Sequence, residues 1–285
     1  MLSRVIGADP SQILGSLNAN GHLYLINPNG IIFGKDSTVN VHALIASTLD
    51  IADSAFLSGN ISFQGDSEAA VMNLGSINAK DFAALIGGKV DNAGSISVPG
   101  GDAALLAADA VLEVGEASGG KITLDLSGLL EGSASNSGSV DVASSTTQGG
   151  GATILGEQVS VSGSVDASGA TGGGNINIGG DFQGGNPDLT NAKSVDVAGT
   201  LAANSEVSGD GGRIIVWADG VTSFSGELSA DGMGNGIGGF AEVSGKETLL
   251  FRGDVSLEGP MGGGDLLLDP TNITVDYTGG VATLA

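Results

Sequence analysis

The chain has 285 residues, of which 51 are Gly, 32 are Asp or Glu, 9 are Lys or Arg and none is Cys. A formal charge of −23 repels phosphate backbones and anionic lipid, so nucleic acid and membrane-surface binding are disfavoured, while cationic partners and divalent ions stay open. With 41% hydrophobic residues a core can be buried despite the glycine, and the missing cysteines exclude disulfide staples and thiolate metal sites.

Residues 2 to 50 read as a strand-rich opening. Leu23 to Ile26 and Ile31 to Phe33 are short β-favouring runs split by Asn27, Pro28, Asn29 and Gly30. Asn first, Pro second and Gly fourth are the preferences of a type I turn, which predicts strand, turn, strand. Val39 to Ile45 is the next expected strand, and Ser47 to Asp53 reads as a short helix or a bend. From Gly59 a coil becomes legible. The Gly75-Ser-Ile-Asn-Ala79 pentad recurs as Gly94-Ser-Ile-Ser-Val98, and Leu85-Ile86 recurs as Leu105-Leu106. Gly138 and Gly163 open two further copies, Gly-Ser-Val-Asp-Val and Gly-Ser-Val-Asp-Ala.

Past residue 199 the repeat locks to one step. Gly199, Gly226 and Gly253 are 27 residues apart, as are Gly212 and Gly239, and Val221 and Thr248. Three strand-like segments sharing one period describe a coil with three sides per turn. The expected fold is therefore all-β, a three-sided β-solenoid. In each pentad the third and fifth residues are apolar and the second and fourth polar, which predicts one dry and one wet face. The leading glycine permits positive φ or close corner packing. About a dozen rungs at about 4.8 Å would make a rod roughly 50 to 60 Å long. The longer interval from Gly174 to Gly212 predicts an excursion near 180–191, where Phe182, Gly184, Gly185, Asn186 and Pro187 supply loop chemistry.

Candidate chemistry is sparse. Asp141 and Asp166 stand at equivalent outward positions, where a glycosidase would need paired acids about 5 to 9.5 Å apart, but with no Arg or His beside them in the pattern they read as solvated charges on a regular strand exterior. The Gly-rich stretches lack the aspartate spacing of calcium-binding nonapeptides. Gly88-Lys89 and Gly245-Lys246 lack the upstream glycine of a phosphate loop, since Ala83 and Phe240 stand there. His22 and His42 have no nucleophile elbow to serve. No catalytic residue, metal site or cofactor is therefore expected. Arg252, Gly253 and Asp254 spell the integrin-recognition tripeptide, yet Gly253 is already explained by the 27-residue series, and a strand-flanked tripeptide lacks a mobile loop. No run approaches the roughly 18 apolar residues of a transmembrane segment.

Asn27, Pro28, Asn29, Gly30 and Ile31, within NANGHLYLINPNGIIFG, resemble a signature motif of the two-partner secretion domain of filamentous haemagglutinin-like exoproteins. LSRVIGADPSQILGSL, GSINAKDFAALIGGKVDNAGSISV, RIIVWADGVTSFSGELSADG and LLLDPTNITV resemble the same family, in order along the chain. The resemblance implies a right-handed parallel β-helix, export through an outer-membrane β-barrel transporter of the two-partner type, and an extracellular or cell-surface location. It also implies that a leader lies upstream of Met1 and that the parent protein continues beyond Ala285. Residues 1–112 would then be the carboxyl-side part of the secretion domain and 113–285 β-helical passenger rungs. The motif residues would serve secretion or folding, either by meeting the transporter or by closing an early rung. The function expected is a non-enzymatic adhesin-like exoprotein with a host-cell or glycan receptor. A β-helix enzyme acting on polysaccharide, and the delivery stem of a contact-dependent toxin, are the alternatives.

Overall fold

The computed structural model describes residues 1–58, 62–108, 112–117, 121–125, 132–269, 271 and 273–275. Gly59, the expected onset of the coil, Pro270 and the closing stretch 277–285 lie outside them. The chain winds as a three-sided parallel β-helix. The first sheet runs from Leu2–Arg4 through His22–Ile26 and Ala43–Ser47 to Asp265–Leu267, the second from Ser11–Ile13 through Ile31–Phe33 to Ile273–Val275, and the third from Ser16–Asn18 through Thr38–Asn40 to Asp254–Ser256. The three hold ten, ten and nine strands among the described residues. That is fewer than the expected dozen rungs, because part of the chain builds a second layer instead.

The pentads fall where the repeat predicts. Ile77 pairs with Ile96, Leu85 with Leu105, and Val140 with Val165, each pair buried. The same alternation in every rung lines a continuous interior of Val, Ile, Leu and Ala, at about 0.8 kcal/mol per buried methylene. The glycines between the second and third sheets form a column. A Cβ added at Gly94, Gly138, Gly163, Gly199 or Gly226 would stand 1.9 to 2.1 Å from the carbonyl oxygen of the glycine one rung earlier. None of the five has positive φ, so close approach of successive coils requires them. Just inside that column Asn73, Asn92 and Asn136 are buried and bonded amide to amide, each Nδ2 donating to the next Oδ1 at 2.7 Å. The same column carries Phe224 and Phe251, stacked 5.4 Å apart.

Three expectations change. Val39 to Ile45 is not one strand: it splits into Thr38–Asn40 and Ala43–Ser47 at a corner holding Val41 and His42, because the period of the coil outweighs local β propensity. Ser47 to Asp53 does bend, at Thr48 and Leu49, but it also holds a short strand, Asp50–Ile51, and the helix Asp53–Ser58 begins only at its end. The third concerns an outer layer that periodicity did not disclose. Asp50–Ile51, Ser62–Gln64, Leu112–Ala117 and Lys121–Asp125 form an antiparallel sheet outside the coil. A second apolar cluster, including Tyr24, Ile45, Phe63, Phe82 and Leu106, lies on the outward face of the first sheet. Phe56 of the helix meets Tyr24 edge-on at 5.2 Å. Both parts of this layer leave the coil between the first and second sheets, as does the excursion from Gly179 to Lys193.

Candidate functional site

The turn between the first and second sheets of the second rung holds the five motif residues. Asn27 is fully buried. Its Nδ2 donates to Asp9 O at 3.0 Å and Ser11 Oγ at 2.9 Å, and its Oδ1 accepts from Asn29 N at 2.9 Å. Gly30 N donates to Asn27 O at 3.0 Å, closing the four-residue turn. Asn29 does not have positive φ, which excludes a type II turn and fits the type I expectation. Gly30 does, at +111°, and a Cβ there would also lie 3.1 Å from Ala70 O. Ile31 is buried in the interior.

The turn staples the first rung to the second. Asn29 Nδ2 donates to Gly7 O at 2.8 Å, Ser11 N donates to Gly30 O at 2.9 Å, and Ser67 Oγ donates to Pro28 O at 2.6 Å from the third rung. Exposure divides the motif: Asn27, Gly30 and Ile31 are buried, whereas Pro28 and Asn29 face solvent. Nearby, Arg4 binds Asp50 at 2.7 Å and Asp53 at 2.8 Å, tying the first rung to the outer layer.

Residues 1–217 match the family described as TPS secretion domain. The chain belongs to that family. TPS secretion domains are the export domains of exoproteins secreted by the two-partner route, and this chain carries one. It is 28% identical to the HMW1 secretion domain from Haemophilus influenzae, whose crystal structure it matches with a TM-score of 0.57 over 93% of this chain and 85% of that one. Over 103 residues, 33% of its length, it is 42% identical to a heme/hemopexin-binding protein of Haemophilus influenzae strain Rd, and over 49 residues, 17% of its length, it is 51% identical to a protein of the same name from Haemophilus influenzae. These matches span 11% and 5% of the two relatives.

Elsewhere on the chain the other candidates have structural settings. Asp141 and Asp166 are partners on adjacent rungs, but each turns its Oδ1 back to a corner amide, Ala143 N at 3.0 Å and Ser168 N at 2.9 Å. Arg252 and Asp254 are exposed, and the backbone between them is held by Arg252 N to Phe224 O at 2.8 Å and Asp254 N to Gly226 O at 3.0 Å. A Cβ at Gly253 would stand 2.3 Å from the Phe224 ring, so packing requires that glycine. An open hollow of about 630 Å³ beside the exposed amide column Asn18, Asn40 and Asn78 is lined by His42 and Lys80 but by no carboxylate. Among the described residues no three His, Asp or Glu side chains gather as a metal site, and no helix is long and apolar enough to cross a membrane.

Sequence reasoning missed two carboxyls whose titration the fold shifts. Burial works against ionised Asp181, but Arg213, Asn186 and Phe182 N together hold it below the usual carboxylate range. Burial pushes Glu242 above that range, offset in part by the Gln183 N–H and the Ser244 hydroxyl. Only the Gly174 to Gly212 interval hinted at this region.

Proposed function

We propose that this chain is the export and nucleation segment of a non-enzymatic, adhesin-like exoprotein, delivered to the cell surface or medium through a two-partner outer-membrane barrel. The observation that carries the reading is the split exposure of the motif: three buried residues build the turn and two exposed ones offer it to a partner. Asn27, Gly30 and Ile31 close the second rung, so the strands that follow have an ordered edge to pair with. Pro28 and Asn29 present the transporter's contact. Backbone pairing of each new rung on the last then draws the chain outward without a nucleotide. The three sheets run unbroken past residue 112; in this proposal 1–112 starts the coil and 113–285 extends it. A host-cell or glycan receptor would meet the solvent face of the later rungs.

The test supplies a leader, co-expresses a cognate barrel and measures secreted protein alongside the folding free energy of purified chain. Pro28→Ala and Asn29→Ala should cut secretion severalfold at a stability cost of about 1 kcal/mol or less. Asn27→Ala, which empties a buried amide site and removes its bonds to Asp9 O, Ser11 Oγ and Asn29 N, should cost about 2 to 3 kcal/mol and lower secretion with it. Unchanged secretion in all three variants would remove the motif from the export step.

A further inference from the structure

Residues 180–191 leave the first sheet after Asn175–Ile178 and return to the second at Ser194–Val197. Leu189 packs against the second apolar cluster on the earlier rungs, whereas the anchors of Asp181 to Gly184 and of Asn191 described next come later in the chain. Asp181 caps the 3-10 turn Phe182–Gly184, and its Oδ1 meets Arg213 Nη2 at 2.8 Å. The Arg213 guanidinium lies 5.9 Å from the centre of the Phe182 ring, which meets Phe240 edge-on at 5.8 Å. Gln183 N donates to Glu242 Oε2 at 3.0 Å. Gly184 rests on the Trp217 indole so closely that an added Cβ would stand 2.5 Å from Nε1. Asn191 Nδ2 ties Gly184 O at 3.0 Å to Asp219 Oδ1 at 3.2 Å.

Arg213, Trp217 and Asp219 belong to the next rung, and Phe240 and Glu242 to the one after, because Asn175–Ile178 pairs with Arg213–Ala218 and that strand with Phe240–Gly245. A solenoid rung ordinarily touches only its immediate neighbours, so its rungs open one by one from the ends. Here a segment of one rung reaches across the next to the second. Its geometry shows that docking is enforced from below. Gln183 is the one non-glycine residue with positive φ among those described, at 52°, a conformation that persists only where surroundings impose it. Glu242 is fully buried beneath it.

We propose that residues 180–191 are a strap that closes only after the two following rungs have formed, and that once closed it makes three rungs open as a single unit. As chain is added from the amino end, Leu189 can meet the earlier rungs at once, but the Asp181 to Gly184 half of the strap stays undocked until residue 242 is in place, and its closure then resists backward unwinding. Nothing in this depends on the transporter or on what the exoprotein binds.

Amide exchange on the full chain, with quenching of its single tryptophan, tests the proposal. In the unmodified protein, amides of 175–178, 213–218 and 240–245 should share one opening event with one denaturant dependence. Exchange that grades rung by rung overturns the strap. Asp181→Ala combined with Phe182→Ala should expose Trp217 to acrylamide and speed exchange in 240–245 about tenfold, although both substitutions lie two rungs away. Wild-type exchange in 240–245 overturns the lock, whatever Trp217 does. Glu242→Ala, which removes the acceptor, should loosen the strap, and Glu242→Gln, which keeps an oxygen for Gln183 N, should not.

Discussion

At the scale of single residues, two side chains with the same burial do opposite things. Asn27 satisfies every polar atom through neighbours in the first rung and its own turn, whereas Glu242 Oε1 is buried with no hydrogen-bond partner. The pull on Glu242 sets a pH dependence. Its folded pKa is raised, chiefly by burial, so its stabilising contribution is full below the unfolded value of about 4.3 and is lost as pH rises through the folded value. Asp181 runs the other way: its pKa is lowered, so its contribution holds at neutral pH and fades as pH falls below about 3.9. Glu242→Gln should therefore stabilise the chain by about 1 kcal/mol at pH 8 and by little at pH 4, as read by urea unfolding at both. The motif turn was legible because Asn, Pro and Gly carry positional meaning in turns. Glu242 was not, since a strand position reads as solvent-facing until something covers it.

At the scale of elements, the corner glycines decide the pitch. A methyl at Gly199 would sit 1.9 Å from Gly163 O, an overlap that only separation of two coils can relieve. Gly199→Ala should cost about 3 kcal/mol and shift the thermal midpoint downward, whereas Ala198→Ser, one residue earlier in the same corner and exposed, should be close to neutral. The columns were readable from periodicity alone, because a coil that returns to the same corner needs the same residue there. The outer sheet was not, although its trace is visible in retrospect. Phe82 to Ile86 and Ala103 to Ala108 are apolar at successive positions, the pattern of a strand covered on both faces. Val39 to Ile45 reads as one strand for a related reason: two short strands separated by a tight corner look like one long one when Val41 carries the apolar alternation through the corner.

At the scale of the whole molecule, a dry interior is wrapped in an acidic surface. With a net charge of −23 and few described ion pairs, the folded coil concentrates like charges that the unfolded chain spreads apart. Raising salt from 10 to 150 mM shortens the screening length from about 30 Å to about 8 Å and should raise the thermal midpoint by several degrees; a midpoint that falls or stays fixed would place the stabilising balance elsewhere. The parallel three-sided architecture was legible, while the described residues hold ten rungs at most rather than about a dozen, because residues spent outside the coil look, by composition, like residues spent within it.

The corner between the first and second sheets has one further consequence. Two residues suffice there between Leu155 and Gln158, or between Ala218 and Val221, yet the outer sheet, the helix and the segment ahead of Ser194 all emerge from it without disturbing strand register on either side. The molecule thus possesses a longitudinal seam at which foreign sequence can be spliced in. Descendants or engineers can add appendages along that flank while the short glycine corner between the second and third sheets keeps the screw intact.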